Sequence, residues 1–238
     1  MTEGGPDTTP RKGWLRTRLP FRTLDMLDAF GSEPVPGHMK RWWWCLGGTA
    51  LIFFVIQLVT GILLSFYYVP DPDAAYESVQ RISDDIPFGW YIRSLHKWSS
   101  NGMVVAVILH SIRVFFTGGY RKPRELNWVL GTLILMTTMV FGFTGYSLVY
   151  EQLSYWGATV AGNLTEAAPI VGPALAHFMR GGEEISANTL TRFHMLHIGL
   201  LPTVMFALLA AHFLLIRVHG VSELSFKSDA KGRTFPFF

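Results

Sequence analysis

Cysteine and charge are both scarce in this chain. A single cysteine, Cys45, stands among 238 residues. That excludes an internal disulfide, and it excludes zinc or iron–sulfur centres that need several thiolates. No C-x-x-C-H run is present, so ordinary two-cysteine haem attachment is excluded too. Charged residues make up 16%, against about 25% in soluble domains. Half the residues are apolar and 14% aromatic, with 8 Trp, a balance that points to a membrane protein. The net charge is only +3, and no nucleic-acid partner is expected. Residues 1–37 contain no apolar run long enough for a cleavable signal peptide. They are basic and rich in Pro and Gly. Residues 14–30 mix leucine and phenylalanine with arginine, as in a surface-lying amphipathic helix. Pro20 interrupts that pattern, and a solvated tail fits equally.

A transmembrane helix needs about 20 mostly apolar residues. Asp, Glu, Lys and Arg are absent from residues 42–69 and from 193–216, and Glu125 is the last acid before an uncharged stretch over 126–150. The remaining candidate, around 98–112, is uncharged for only 15 residues. It reaches full length by including Arg93, Lys97 and Arg113, whose long side chains extend to an interface. The expected organisation is an extension over 1–37, an all-α four-span bundle over 38–220, and a tail over 221–238. The spans are placed at 40–69, 88–117, 126–150 and 191–218. Four spans put both ends of the chain and the loop carrying Arg121, Lys122 and Arg124 on one side. That side then holds every basic residue except Arg81, Arg93, Lys97, Arg180 and Arg192, so the termini are expected to be cytoplasmic. The loop after the first span is acidic, with Asp71, Asp73, Glu77, Asp84 and Asp85. Between the third and fourth spans, residues 152–161 and 167–179 suggest short amphipathic helices.

Of eight histidines, four lie in the spans at matched spacing. His96 and His110 are 14 residues apart on the second span, and His197 and His212 are 15 apart on the fourth. At about 100° per residue, 14 steps fall roughly 40° short of whole turns and 15 overshoot by roughly 60°, so each pair lies near one face. Each pair is separated by about 21–23 Å along its axis. The two spans run antiparallel, so His96 is placed opposite His197, and His110 opposite His212. Taken singly, a membrane histidine fits a proton path. Two facing pairs suit two irons, each clamped from both sides, and thus two stacked haems. His177, His194 and His219 have no such partners. The first and third spans add Gly47 and Gly61, and Gly131 and Gly145, again 14 apart. A position without a side chain lets a flat macrocycle approach the backbone.

The run HKWSSNGMVVAVILHSIRVFFTGGYRKPRELNWVLG resembles the second helix and following loop of the cytochrome b family. The run TRFHMLHIGLLPTVMFALLAAHFLLIRVHG resembles its fourth helix. The 15-residue interval resembles cytochrome b6 of b6f complexes and its menaquinol-oxidising bacterial relatives; in the longer cytochrome b of bc1 complexes it is usually 14. The resemblance covers roughly residues 35–225. It implies that His96 and His197 hold a low-potential b haem and His110 and His212 a high-potential one. It also implies a third haem bound through one thioether at Cys45, which otherwise reads as an inert buried thiol.

Arg93, Arg113, Arg124 and Arg217 are candidate partners for anionic haem propionates, because guanidinium is a forked and permanently charged donor; each also suits an interfacial anchor. After Gly145 the family commonly reads YSLPWDQ, whereas this chain has Tyr146-Ser147-Leu148-Val149-Tyr150-Glu151-Gln152. Tyr150 and Glu151 border the expected outer quinol site, and the departure leaves the quinone type open. The resemblance implies an electron-transfer subunit of a quinol-oxidising complex, with quinone sites on both sides and coupled proton translocation. Expected partners are a Rieske iron–sulfur protein, a c-type cytochrome, membrane quinone, and a second copy of the complex. No PEWY motif occurs in these residues, so the second half of a full cytochrome b is expected from a separate subunit or a shortened fusion joined near KGRTFPFF. The expected location is a bacterial cytoplasmic membrane. A dihaem anchor of a dehydrogenase or hydrogenase shares the four-helix plan without the Cys45 haem, and a proton-coupled transporter shares the histidines without haem absorbance.

Overall fold

A computed structural model describes residues 45–220. The N-terminal extension, the start of the first expected span and the C-terminal tail lie outside the described residues. Among the described residues the structure is helical, with no strand.

Among the described residues, four helical runs are long and apolar enough to cross a membrane. They are α1 (Leu46–Ser65), α3 (Gly89–Phe116), α4 (Glu125–Ser147) and a continuous run of 33 residues. That last run consists of α7 (Ala187–Met195), a π-helical turn (Leu196–Leu200) and α8 (Leu201–His219). The shortest, at 20 residues, reaches about 30 Å, the hydrocarbon thickness of a bilayer. The second span runs for 28 residues, so the charged turns at Arg93, Lys97 and Arg113 are part of one helix. Short helices α2 (Ala75–Asp84), α5 (Gln152–Glu166) and α6 (Gly172–Arg180) occupy the connections. The end of the bundle where they gather is called outer below, and the opposite end inner.

The helix ends follow local chemistry. The first span was expected to reach residue 69, but α1 stops at Ser65. Pro70 lacks an N–H and drives Val69 out of the helical region, and the chain turns with the Tyr67 and Tyr68 amides on the Leu64 carbonyl. α4 stops at Ser147, and Tyr150 then takes φ 53°. At the entry to α3, Phe88 has φ 61°, and a Cβ on Gly89 would stand 1.8 Å from the Ile82 carbonyl oxygen. Only glycine permits that crossing of α2 and α3.

The π-helical turn accounts for the odd interval of the fourth span. There the Leu201 amide bonds the Leu196 carbonyl, five residues back instead of four. Such a turn inserts one extra residue into an α-helix. His197 lies within the turn and His212 beyond it, so their 15 residues advance the helix about as far as 14 do elsewhere. Pro202 follows at once; without an N–H it cannot restore the regular ladder. The Thr203 hydroxyl covers the Gly199 carbonyl at 2.9 Å. All four spans therefore share one vertical repeat.

α1 packs along α3, while α4 packs along α8. Halfway between the two levels of glycine and histidine, every span buries a residue: Phe54, Met103, Thr138 and Met205, none more than 7% exposed. Phe54, Met103 and Met205 join Val107 and Ile134 in one core cluster. The bundle centre is thus a solid layer with a histidine level on either side. At the outer end, buried Arg180 ties α5 to α6. It pairs with Glu166 at 2.8 Å and donates to the Asn163 side chain at 2.7 Å. The Thr189 hydroxyl at the start of α7 bonds the Arg180 carbonyl.

Candidate haem-binding site

The fold brings the four span histidines together at two levels, two to each. At the outer level the rings of His96 and His197 have centroids 6.5 Å apart. A metal–imidazole bond of about 2 Å on each side, plus about 1.1 Å from each nitrogen to its ring centre, gives roughly 6 Å for a clamped iron. At the inner level His110 and His212 are near enough to interact electrostatically. No three of His, Cys, Asp or Glu gather as a metal cluster among the described residues; these histidines come in twos, a number that would suit an iron already held by a porphyrin.

Each of the four glycines faces one of these histidines. A Cβ on Gly145 would stand 2.7 Å from Cε1 of His197; on Gly47, 3.0 Å from His110; on Gly61, 3.3 Å from His96; on Gly131, 3.6 Å from His212. The space left on α1 therefore belongs to the imidazoles of α3, and that on α4 to those of the fourth span. The glycines let the Cε1 edge of each ring approach a neighbouring backbone. Adding a methyl group should do graded damage. Alanine at Gly145 should reduce haem content most, then at Gly47, then Gly61, while Gly131→Ala should be near neutral. Overpacking of this kind typically costs about 1–3 kcal/mol. Haem per protein, measured on the four purified variants, checks the order.

The outer level opens into a cavity of about 560 Å³, lined by Gly61, Gly145, His96 and His197, with Arg93 and Lys97 on its wall. The Arg93 guanidinium donates to Ser83 of α2 at 2.8 Å. Glu151, the residue before α5, also borders this cavity. Tyr150 turns its ring onto Tyr155, with centroids 5.9 Å apart; burial, with Tyr155 and Asp73 nearby, raises its phenol above the usual value. Tyr68 closes the cavity on another side. Burial pushes its phenol up, so it stays protonated and donates to the Leu148 carbonyl at 2.7 Å.

The other candidate residues are spread along the inner half. Arg113 is buried, with Nη2 3.4 Å from Nδ1 of His110. Arg124 precedes α4 and donates to the carbonyls of Gly220 and His219. Arg217 lies in the last turn of α8. Cys45 immediately precedes α1, exposed, two residues before Gly47.

Several residues around the outer level carry no hydropathy signal. The Gln57 amide donates to the His96 carbonyl and to Ser99. Thr60 lies 2.8 Å from Nδ1 of His96, and Thr144 3.0 Å from Nδ1 of His197. Their signal in the sequence is a repeated Thr-Gly dipeptide, at 60–61 and 144–145. His194 packs its ring 5.3 Å from that of Tyr68 and also lines the cavity.

Comparison with known proteins agrees with this plan. The family model described as Cytochrome b/b6/petB matches residues 30–220. A protein named cytochrome b6 from Heliobacterium modesticaldum is 44% identical over 210 residues, covering 88% of this chain and 98% of its own length. Cytochrome b6 of Synechococcus sp. (strain RCC307) is 43% identical over 216 residues, covering 91% of this chain and 98% of its own length. Among solved structures, a chain of a hyperthermophilic respiratory complex III superposes with a TM-score of 0.74 at 28% identity. The match covers 93% of the present chain and 60% of that one.

Proposed function

This chain belongs to the cytochrome b/b6 family, and we propose that it is the haem-carrying membrane subunit of a quinol-oxidising complex of the b6f or bc type. His96 and His197 would hold one b haem, and His110 and His212 a second. The observation that carries this reading is the fourfold match of one glycine to one histidine, with the outer imidazole rings spaced for an iron. Bound haem supplies a one-electron carrier at each level.

The chain's own residues do the rest. The glycines admit the imidazoles, and the central layer of Phe54, Met103, Thr138 and Met205 keeps water from joining the two levels. Arg93 and Lys97, on the wall of the outer cavity, would offer cations to propionates, and Arg113, Arg124 and Arg217 would do so in the inner half. Glu151, which borders the outer cavity, would accept a proton from quinol. Cys45, two residues from the glycine that faces His110, would carry a third haem by a thioether. Both termini would lie on the cytoplasmic side, with quinone sites at both ends and proton translocation coupled to them. Rieske protein, a c-type cytochrome and a second cytochrome b half would complete a dimeric assembly.

The test is a dithionite-reduced spectrum of the purified complex, with peroxidase staining of this subunit on a denaturing gel. A b-type spectrum with a stained band that vanishes in Cys45→Ala is expected. A colourless subunit overturns the whole reading; b haem without a stained band overturns the thioether alone.

A further inference from the structure

The residue before each of the four glycines differs between the two levels. It is Thr60 and Thr144 at the outer level, but Leu46 and Leu130 at the inner. The proton accounting for the threonines is complete. The Thr60 hydroxyl donates to the Ile56 carbonyl at 2.6 Å, and the Thr144 hydroxyl to the Val140 carbonyl at 2.8 Å. A hydroxyl has one proton, and both are committed to their own helices. Toward the imidazoles each oxygen can only accept. His96 and His197 must therefore carry hydrogen on Nδ1, which leaves Nε2 with a free lone pair. Both threonines are buried, at 4% and 2% exposure, so water does not compete for these bonds.

The inner level has no such acceptor pair. Leucine offers no hydrogen bond. Nδ1 of His110 instead lies 3.4 Å from the Arg113 guanidinium, a cation that offers an Nδ1–H no acceptor. Nδ1 of His212 is buried and meets no hydroxyl; the backbone at Asn127 is its neighbouring acceptor, as the backbone at Phe141 is a second one for His197.

We propose that Thr60 and Thr144 are positioning residues that fix the proton on Nδ1 of the outer histidines and thereby make the outer haem harder to reduce than the inner one. The proposal rests on the haem-ligand reading above. An Nδ1–H bonded to an acceptor makes the imidazole a stronger electron donor to its metal, which favours the oxidised iron. The Arg113 cation acts in the opposite sense on the inner level, favouring the extra electron. A single step in the sequence, Thr-Gly against Leu-Gly, so biases the molecule toward outer-to-inner electron flow.

The experiment is a redox titration of both b haems in the intact complex carrying Thr60→Val, Thr144→Val or both, with low-temperature EPR of the oxidised forms. Valine keeps the shape and removes the acceptor. The outer midpoint potential should rise, with a shifted outer EPR signal and an unmoved inner haem. Thr60→Val should shift it more than Thr144→Val, because the backbone at Phe141 also faces His197. Thr60→Ser and Thr144→Ser should restore the parent values. Loss of the outer haem in the valine variants but not the serine variants also supports the assignment. An unmoved outer potential in the double variant, equal shifts at both levels, or haem loss in the serine variants overturns it. A parent complex lacking two b haems overturns the underlying ligand reading instead, before any variant is compared.

Discussion

Replacing His110 or His212 with alanine strips one b haem from the protein and leaves the other bound. Each of these histidines belongs to the inner pair, and the solid central layer separates that pair from His96 and His197. A single remaining imidazole leaves one side of the iron without its ligand, and the replaced side chain leaves a void. Void and lost ligand act together, so the inner haem should fall from full occupancy to near zero. The outer cavity, built from Gly61, Gly145, His96 and His197, is untouched. Extracted haem per chain should drop by one, and a difference spectrum should retain only the outer component. The outer replacements, His96→Ala and His197→Ala, should show the converse.

Deleting one residue from a span should have opposite consequences in two helices. Removing Val105, which is exposed on α3, shortens the interval between His96 and His110 to 13 residues. That turns one histidine by about 100° relative to the other and shifts it by about 1.5 Å. One haem at least should be lost. Removing Gly199 from the π-helical turn takes out the extra residue. The interval between His197 and His212 becomes 14, and a regular α-helix then places both rings as the present structure does. Both haems should remain. Haem content of the two deletion variants, purified side by side, decides the matter. Loss of haem in the Gly199 deletion would show that the turn is required in its own right and not merely as compensation for length.

Much of this architecture was legible in the residues. The uncharged stretches mark α1, α4 and α8 because hydrocarbon penalises every charge. The 14-residue intervals mark the levels because a helix has a fixed rise and rotation. Three features were not legible. The π-helical turn depends on one backbone hydrogen bond, Leu201 to Leu196, and a hydrophobic pattern does not report which carbonyl an amide selects. The partners of the glycines were not legible either. Spacing placed Gly47, Gly61, Gly131 and Gly145 at the right heights, suggesting room for a macrocycle, yet the nearest atoms belong to imidazoles of the adjoining helices. Side-chain direction across two helices is settled by packing. Finally, Thr60 and Thr144 look like ordinary membrane threonines bonding back to their own helices. Their second contact, with Nδ1 of a histidine on another span, exists only in the folded bundle.

The most direct measurement counts the irons and their ligands together. Acid–acetone extraction of the purified complex, normalised to this subunit, should release two b haems per chain. EPR of the oxidised complex should show both as low-spin ferric centres with two nitrogen ligands each. One extractable haem per chain, or fewer than two low-spin centres per chain in the unmodified protein, would contradict the paired clamp at two levels.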